Sequence, residues 1–375
     1  MNLELSDEQQ LLRRSAREFL SRASPMSLVR AAMDDPRAAC DRLWPQLAEM
    51  GWLGLTIPAA HGGAELGLVE LSILLQECGR TLLPAPLYTT VALGTQAVLL
   101  AGSPAQHERW LPAIAEGTLK VTLAHLEQSA GWSESGVAMS AAESADGFTL
   151  SGTKLFVPDA GLADRLVVSA RTNGGITLFV VDASVDGVTI RPLDFVDGVR
   201  KLSEVRFDSV RVAQDAMLGA IDGGWPVLER LFDFAKVALC AEMCGAAERV
   251  MEMAVDYAKV REQFGKPIGS FQAIQHKCAD MLVAVESAKS ATYYAAWALA
   301  NGEPDAHTSA CLAKAYVSEA FTKVAGDGIQ VHGGIGFTWE QDLHLYFKRA
   351  KACELAFGTP SWNRELAARV LLDRR

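Results

Sequence analysis

The segment VREQFGKPIGSFQAIQHK, residues 260–277, joins two helical patterns through Gly265, Pro267 and Gly269, with Arg261 at the end of the first and Ser270 as the expected N-cap of a helix beginning at Phe271. Such a joint leaves backbone N–H groups free, and the planar guanidinium of Arg261 suits a phosphate or pyrophosphate. Gln272 can reach an adenine or sugar edge. A second segment, QVHGGIGF at 330–337, carries Gly333, Gly334 and Gly336, which permit positive φ and let a ligand lie against the main chain. It follows a helix and does not fit GxGxxG, which excludes a Rossmann reading. Taken alone, the first segment reads as a helix–helix turn with a surface arginine and the second as a glycine C-cap followed by a turn.

Two further stretches offer chemistry. In AFGTPSWNREL, residues 356–366, the small polar residues Gly358, Thr359 and Ser361 follow a bulky Phe357. In AKVALCAEMCGAAE, Glu242 stands alone among apolar neighbours. A carboxylate in that setting is expected to have a raised pKa and to serve as a base, or else to join a buried pair or polar network. Cys240 and Cys244 lie one turn apart, but no His or Cys completes a zinc set, so core packing is expected.

These residues need helices and a sheet to position them. Residues 1–119 are helix-patterned, with a Ser6/Gln9 capping box and a Gly/Pro-rich break near residue 60. From 120 to 218, short alternating runs such as ITLFVV and LSEVRFDSVRV, separated by Asp-Gly and Asn-Gly turns, indicate an antiparallel sandwich or barrel. In the last run Val205 and Phe207, then Val210 and Val212, share a face. Residues 219–375 return to long helical patterns, roughly 223–259, 271–300, 306–330, 341–356 and 362–373, a bundle. The fold class is α+β, in the order helical, β, helical.

With 375 residues, 50% hydrophobic and 21% charged, the chain has the composition of a soluble multidomain protein. A net charge of −10 argues against nucleic acid or an anionic membrane as partner. The acidic N-terminus lacks a signal-peptide pattern, and the charge-free run Thr81–Gln106 is interrupted by prolines and reads as a buried helix. Seven scattered cysteines without CxxC favour reduced thiols in a cytosolic chain.

Jointly, RxxFGxxIxxFQxxxHxxADM and, some fifty residues later, QxxGGxGF, together with SGTKLF at 151–156 and the PxxHGG-type break at 58–63, resemble the acyl-CoA dehydrogenase family along essentially the whole chain. The resemblance implies an N-terminal helical domain, a middle β-barrel and a C-terminal four-helix bundle, with FAD between the last two and across a subunit interface. It implies that Arg261 binds the FAD pyrophosphate and that Phe264, Ile268 and Gln272 line the adenine end. Gln330, Gly333 and Gly334 would meet the ADP portion of a neighbouring subunit's FAD, and Thr359 would touch the flavin. Asp233 and Lys236 match a D-x-x-R pattern at the CoA end, with Lys lacking the bidentate fork. The implied reaction removes an α-proton and transfers a β-hydride to flavin N5, the electrons passing to an electron-transfer flavoprotein. Homotetramers or heterotetramers are the implied assemblies.

The same resemblance exposes a gap. The family's EGT triplet falls on Phe357, Gly358 and Thr359, so a phenyl ring replaces the usual proton acceptor, while the backbone N–H that helps polarise the thioester carbonyl survives. The family's alternative site, 26 residues before Arg261, is Ala235. Glu242, two turns on and ~10 Å along the same face, is the substitute base the sequence offers. FVPDA at 156–160 replaces a W-(I/V)-(T/S) element, Pro158 having neither hydroxyl nor N–H. AHLEQSAGWSESG follows the family's TEP-G-SD loop loosely, and Ser361 stands where a glutamine often serves. Three readings follow: a working FAD-dependent dehydrogenase using a base such as Glu242; a glutamate-less subunit of an α2β2 heterotetramer; and a flavin oxidase or monooxygenase on the same scaffold.

Overall fold

In the computed structural model, which describes residues 4–129 and 131–373, helices, a sheet and a second set of helices follow one another along the chain. Helix α1 (Asp7–Ala23) opens on the anticipated capping box: the Ser6 hydroxyl accepts from the Gln9 N–H, and the Gln9 side chain accepts from the Ser6 N–H. Helices α2 (Met26–Asp34), α3 (Pro36–Glu49) and α4 (Leu68–Arg80) follow. The proline-marked run expected as one buried helix begins as a π-helical segment, Thr89–Thr95, continues as α5 (Gln96–Ala101) and breaks at Gly102 before α6 (Pro104–Ala115). A Cβ on Gly94 would fall 2.5 Å from that of Val121, so the wide turn rests directly on the first strand. No helix among the described residues is long and apolar enough to cross a membrane.

Strands β1 (Val121–Ala124), β2 (Ser140–Ser144), β3 (Gly147–Pro158), β4 (Arg165–Arg171), β5 (Ile176–Asp182), β6 (Val188–Leu193), β7 (Leu202–Ala213) and β8 (Met217–Leu218) form one sheet, ordered β6-β7-β3-β2-β4-β5-β8 with β1 beside β4. Antiparallel pairing dominates, as anticipated. The exceptions are β1 with β4 and the single Ser140↔Arg171 contact of β2 with β4, which are parallel. The connection from β1 to β4 contains a loop and the β2–β3 hairpin, long enough for the crossover a parallel pair requires. On β7, Val205, Phe207 and Val210 are buried; the change of phase between Phe207 and Val210 falls at Ser209, whose φ is +53°.

Helix α7 (Gly224–Val260) crosses the whole molecule; a short hairpin, β9 (Glu262–Gln263) and β10 (Lys266–Pro267), leads to α8 (Gln272–Asn301), α9 (Ala306–His332), α10 (Leu343–Leu355) and α11 (Pro360–Asp373). All five lie close to their expected ranges. The N-cap of α8 is Phe271, not Ser270, whose hydroxyl donates back to the Pro267 carbonyl at 2.7 Å and so is not free to cap.

Helices α4 and α7 touch backbone to backbone. A Cβ on Gly79 would meet the Glu242 carbonyl oxygen at 1.9 Å, and one on Gly245 the Gln76 carbonyl oxygen at 1.8 Å. This crossing sets the height of Glu242 in the core. Gly245→Ala is expected to destabilise the fold by about 3 kcal/mol, because a carbonyl cannot swing aside as a side-chain tip can. A urea midpoint within error of the parent at equal slope would refute this account of the crossing.

Candidate active-site cavity

A cavity of about 540 Å³ opens between the sheet and the C-terminal helices, lined by Leu123, Leu155 and Pro158 on one side and Tyr88, Leu239 and Phe357 on the other. Its size and apolar walls are those of a small-molecule site. Phe357 and Gly358 have φ of +56° and +89°, an unusual conformation for a bulky residue. The side-chain amide of Asn363 holds it, donating to the carbonyls of Phe357, Gly358 and Thr359 at 3.1, 3.0 and 3.1 Å. The Phe357 ring packs against Trp132, with centroids 4.8 Å apart, and against Phe232 at 6.1 Å. Where the family resemblance places a carboxylate, this chain has an aromatic wall. Thr359 also lines the cavity.

Glu242 does not line it. Its Oε2 accepts from Arg200 Nη2 at 2.6 Å and its Oε1 from Arg349 Nη1 at 2.5 Å, and Arg349 also binds Asp197 through Nε. Burial acts to raise the Glu242 pKa, but the two guanidiniums outweigh it and hold the carboxyl below its ordinary value. This corrects the expectation of a raised pKa and a catalytic base: with both oxygens occupied and the anion stabilised, Glu242 is a poor proton acceptor. The buried-network alternative is the one the geometry supports. Ala235 lies beneath the Tyr88 hydroxyl, which donates to its carbonyl at 3.0 Å.

Beneath the sheet side of the cavity runs a second buried network. The Lys154 ammonium donates to Glu127 Oε1 at 2.6 Å, to the His125 carbonyl at 3.1 Å and to Ser169 Oγ at 3.3 Å. Ser169 Oγ lies 3.0 Å from His125 Nδ1, and His125 Nε2 has no hydrogen-bond partner. Burial and the neighbouring Lys154 push His125 down to about 3, so the imidazole is neutral. Burial, opposed by Glu127, brings Lys154 down to about 8.

Asp233 and Lys236, expected at the CoA end, are absent from the cavity lining and turned toward α9. Asp233 pairs with His307 Nδ1 at 2.8 Å, and Lys236 Nζ lies 3.4 Å from both Asp233 Oδ1 and Cys311 Sγ. Asp233, His307 and Cys311 offer ligand atoms within 4.8 Å of one another, but the carboxylate already faces the Lys236 ammonium and a protonated His307.

The residues expected at the nucleotide collect elsewhere. Tyr257, near the end of α7, stacks on His332, at the end of α9, at 4.2 Å, which brings the Arg261–Gln272 joint and the Gln330–Gly334 loop to one end of the bundle. Arg261, Gln272 and Gln330 are exposed, Ile268 is half-buried, and Phe264 is 91% exposed at a turn where it and Gly265 both have positive φ. Nothing lies within 4 Å of a Cβ built on Gly333 or Gly334, so the main chain there is open to a ligand. Sequence reasoning missed His125, Trp132, Arg200 and Asp197; the loose match of 124–136 to the family loop was the one signal for the first two.

Two predictions test these assignments. Arg349→Met leaves Asp197 and Glu242 without their shared cation and is expected to destabilise the protein by about 3–5 kcal/mol, read by urea unfolding; a change below about 1 kcal/mol would contradict the network. His307 is raised to about 10 by its hydrogen bonds to Asp233 and Cys311, from an ordinary 6.5, so its contribution to stability is full below about pH 6.5 and lost as pH climbs through about 10. The stability difference between the parent and Asp233→Asn should therefore shrink from about pH 6 to about pH 10, and a flat difference would count against the pairing.

The matches to known proteins agree with this architecture. The acyl-CoA dehydrogenase N-terminal, middle and C-terminal domain families match residues 6–118, 122–210 and 222–372. A curated relative, acyl-CoA dehydrogenase IpdE2 of Mycobacterium tuberculosis, is 33% identical over 345 residues, covering 92% of this chain and 91% of its own. Butyryl-CoA dehydrogenase from Megasphaera elsdenii superposes with a TM-score of 0.91 at 27% identity, over 99% of this chain and 100% of that one. The ChsE4-ChsE5 complex from Mycobacterium tuberculosis gives 0.89 at 27%, over 99% of each chain. Three domain matches in order, together with a relative this similar over nine-tenths of its length, establish that the chain belongs to the acyl-CoA dehydrogenase family.

Proposed function

We propose that the chain acts in FAD-dependent dehydrogenation of an acyl-CoA thioester to a 2,3-enoyl thioester, with an electron-transfer flavoprotein as the onward acceptor. FAD supplies the acceptor for the β-hydride. The observation that carries the reading is the division of the ligand-facing residues into two sets: the apolar cavity closed by Phe357–Thr359, and the open bundle end with Arg261, Gln272 and Gly333–Gly334. From Leu239, which lines the cavity, to Arg261 the axis of α7 runs ~33 Å, so one chain offers its cavity to one ligand and its bundle end to another. Both sets suit the cofactor: a guanidinium without a partner among the described residues and bare glycine main chain for a pyrophosphate, and an apolar cavity for a flat ring. The backbone N–H of Phe357 polarises the thioester carbonyl, and the surrounding rings exclude water.

A second reading, that the proton acceptor comes from a companion chain in a heterotetramer, is favoured by one feature: positions 235, 242 and 357 of this chain hold an alanine, a carboxylate closed by two guanidiniums, and a phenyl ring. The related ChsE4-ChsE5 structure is itself described as a complex of two named components. The chain should be purified alone and co-expressed with a dehydrogenase-like companion, and each preparation analysed for flavin per chain, native mass and anaerobic loss of flavin absorbance on adding acyl-CoA. Bleaching confined to the co-expressed protein is the expected result. A homo-oligomer that bleaches fully would end the two-chain reading, and preparations that stay free of flavin when FAD is supplied would end both.

A further inference from the structure

His125 carries a buried donor with nothing to bind, at the wall of the cavity. The residue is 4% exposed and lines the 540 Å³ space, and its Nε2 makes no hydrogen bond. The network beneath fixes its tautomer. Lys154 as an ammonium can only donate, so Ser169 Oγ accepts from it, and the remaining Ser169 hydroxyl hydrogen, fully buried, finds its acceptor in His125 Nδ1 at 3.0 Å. The opposite assignment would strand the hydroxyl hydrogen. Nδ1 is therefore the acceptor, the proton sits on Nε2, and the N–H edge is turned away from β4 toward the helices. A buried donor left unsatisfied costs about 1–3 kcal/mol. The atom is shielded by the Trp132, Trp225 and Phe232 rings around it, so a ligand oxygen that displaces one of these rings would recover the loss.

The cavity has direction along α7. His125 meets Phe232 at 4.9 Å and Trp225 at 6.4 Å, in the first turns of the helix, and it stacks on Trp132, which covers Phe357. Leu239, seven residues beyond Phe232 and so ~10 Å along the axis, belongs with Tyr88 to the other end. An aliphatic acyl tail fits the Tyr88–Leu239 end, leaving the polar head of the thioester at the His125 end.

We propose that His125 Nε2–H is a fixed, neutral hydrogen-bond donor to a carbonyl oxygen in the head of a bound acyl-CoA, either the thioester carbonyl or the nearest amide carbonyl of the CoA arm. Held neutral and without a free lone pair, it binds and orients; it does not accept the substrate proton. The proposal rests on the acyl-CoA reading above and adds a recognition residue to it.

The test uses the flavin-loaded protein, in whichever assembly binds flavin, with butyryl-CoA and free CoA as probes. His125→Phe should weaken butyryl-CoA binding about tenfold while flavin content holds, thermal stability falling only by the lost acceptor for the Ser169 hydroxyl, and His125→Gln, which restores an N–H, should regain part of the lost affinity. An equal loss for free CoA assigns the amide carbonyl, and an unchanged affinity for free CoA assigns the thioester. Nitrogen-15 spectra of histidine-labelled protein supply a readout independent of the variants. They should show a neutral ring protonated at Nε2 from about pH 5 to about pH 8, with that resonance moving on addition of butyryl-CoA. Parent protein that binds butyryl-CoA while His125→Phe binds it equally well, or a ring protonated at Nδ1, overturns this proposal alone. Parent protein that binds flavin but no acyl-CoA overturns the underlying reading with it.

Discussion

The cavity exists because a carboxylate is clamped behind it. Glu242 on α7, Arg349 on α10, and Arg200 and Asp197 on the β6–β7 connection form a set of two cations and two anions, three of them buried and Arg200 partly exposed at the cavity wall. Each element would otherwise bury an unpaired charge, so the three dock in one arrangement only. Tyr88 lies under Arg200 at 4.9 Å and donates its hydroxyl to α7, adding the π-helical entry to the same knot. The Gly79 and Gly245 crossing lets α4 approach closely enough to cover Glu242 from behind. What reads in sequence as a lone acid in an apolar helix is thus the centre of the domain contact.

That assignment decides what the chain can do chemically. A carboxylate accepting from two guanidiniums has its charge stabilised and its lone pairs engaged, both of which oppose proton uptake. Phe357 takes the other familiar position with a side chain that carries no proton acceptor, yet the loop keeps its positive-φ conformation because Asn363 binds three successive carbonyls. The main-chain conformation of this loop is therefore held by Asn363 independently of the side chain at position 357. Binding and base chemistry are separable here because one resides in the main chain and the other in a side chain.

Helix boundaries and strand alternation were legible because they follow local periodicity: α7, α8 and α9 lie within two residues of the ranges read from hydrophobic spacing, and the capping box on α1 is present. The environment of Glu242 was not, since its partners lie 42 and 107 residues away, and nothing local distinguishes a base from half of an ion network. The same applies to His125, whose tautomer depends on Ser169, 44 residues on, and on Lys154. Ser270 failed as a cap for a local reason: its hydroxyl had a nearer acceptor in Pro267. Asp233 and Lys236 match a substrate-contact pattern in spacing, but facing α9 they meet His307 and Cys311 first.

The length of α7 separates the cavity from the bundle end. One helix carries Leu239 at the cavity and is capped by Arg261, ~33 Å away along its axis. The exposed rings of Phe264 and Phe337 at that distant end, 91% and 75% accessible, sit beside bare glycine main chain and a guanidinium without a partner among the described residues, an apolar surface next to open hydrogen-bond donors. A chain whose own cavity lacks a free proton acceptor still presents this surface intact. Because the two ends are joined by little more than the length of one helix, residues around the cavity can change while the bundle end keeps its form.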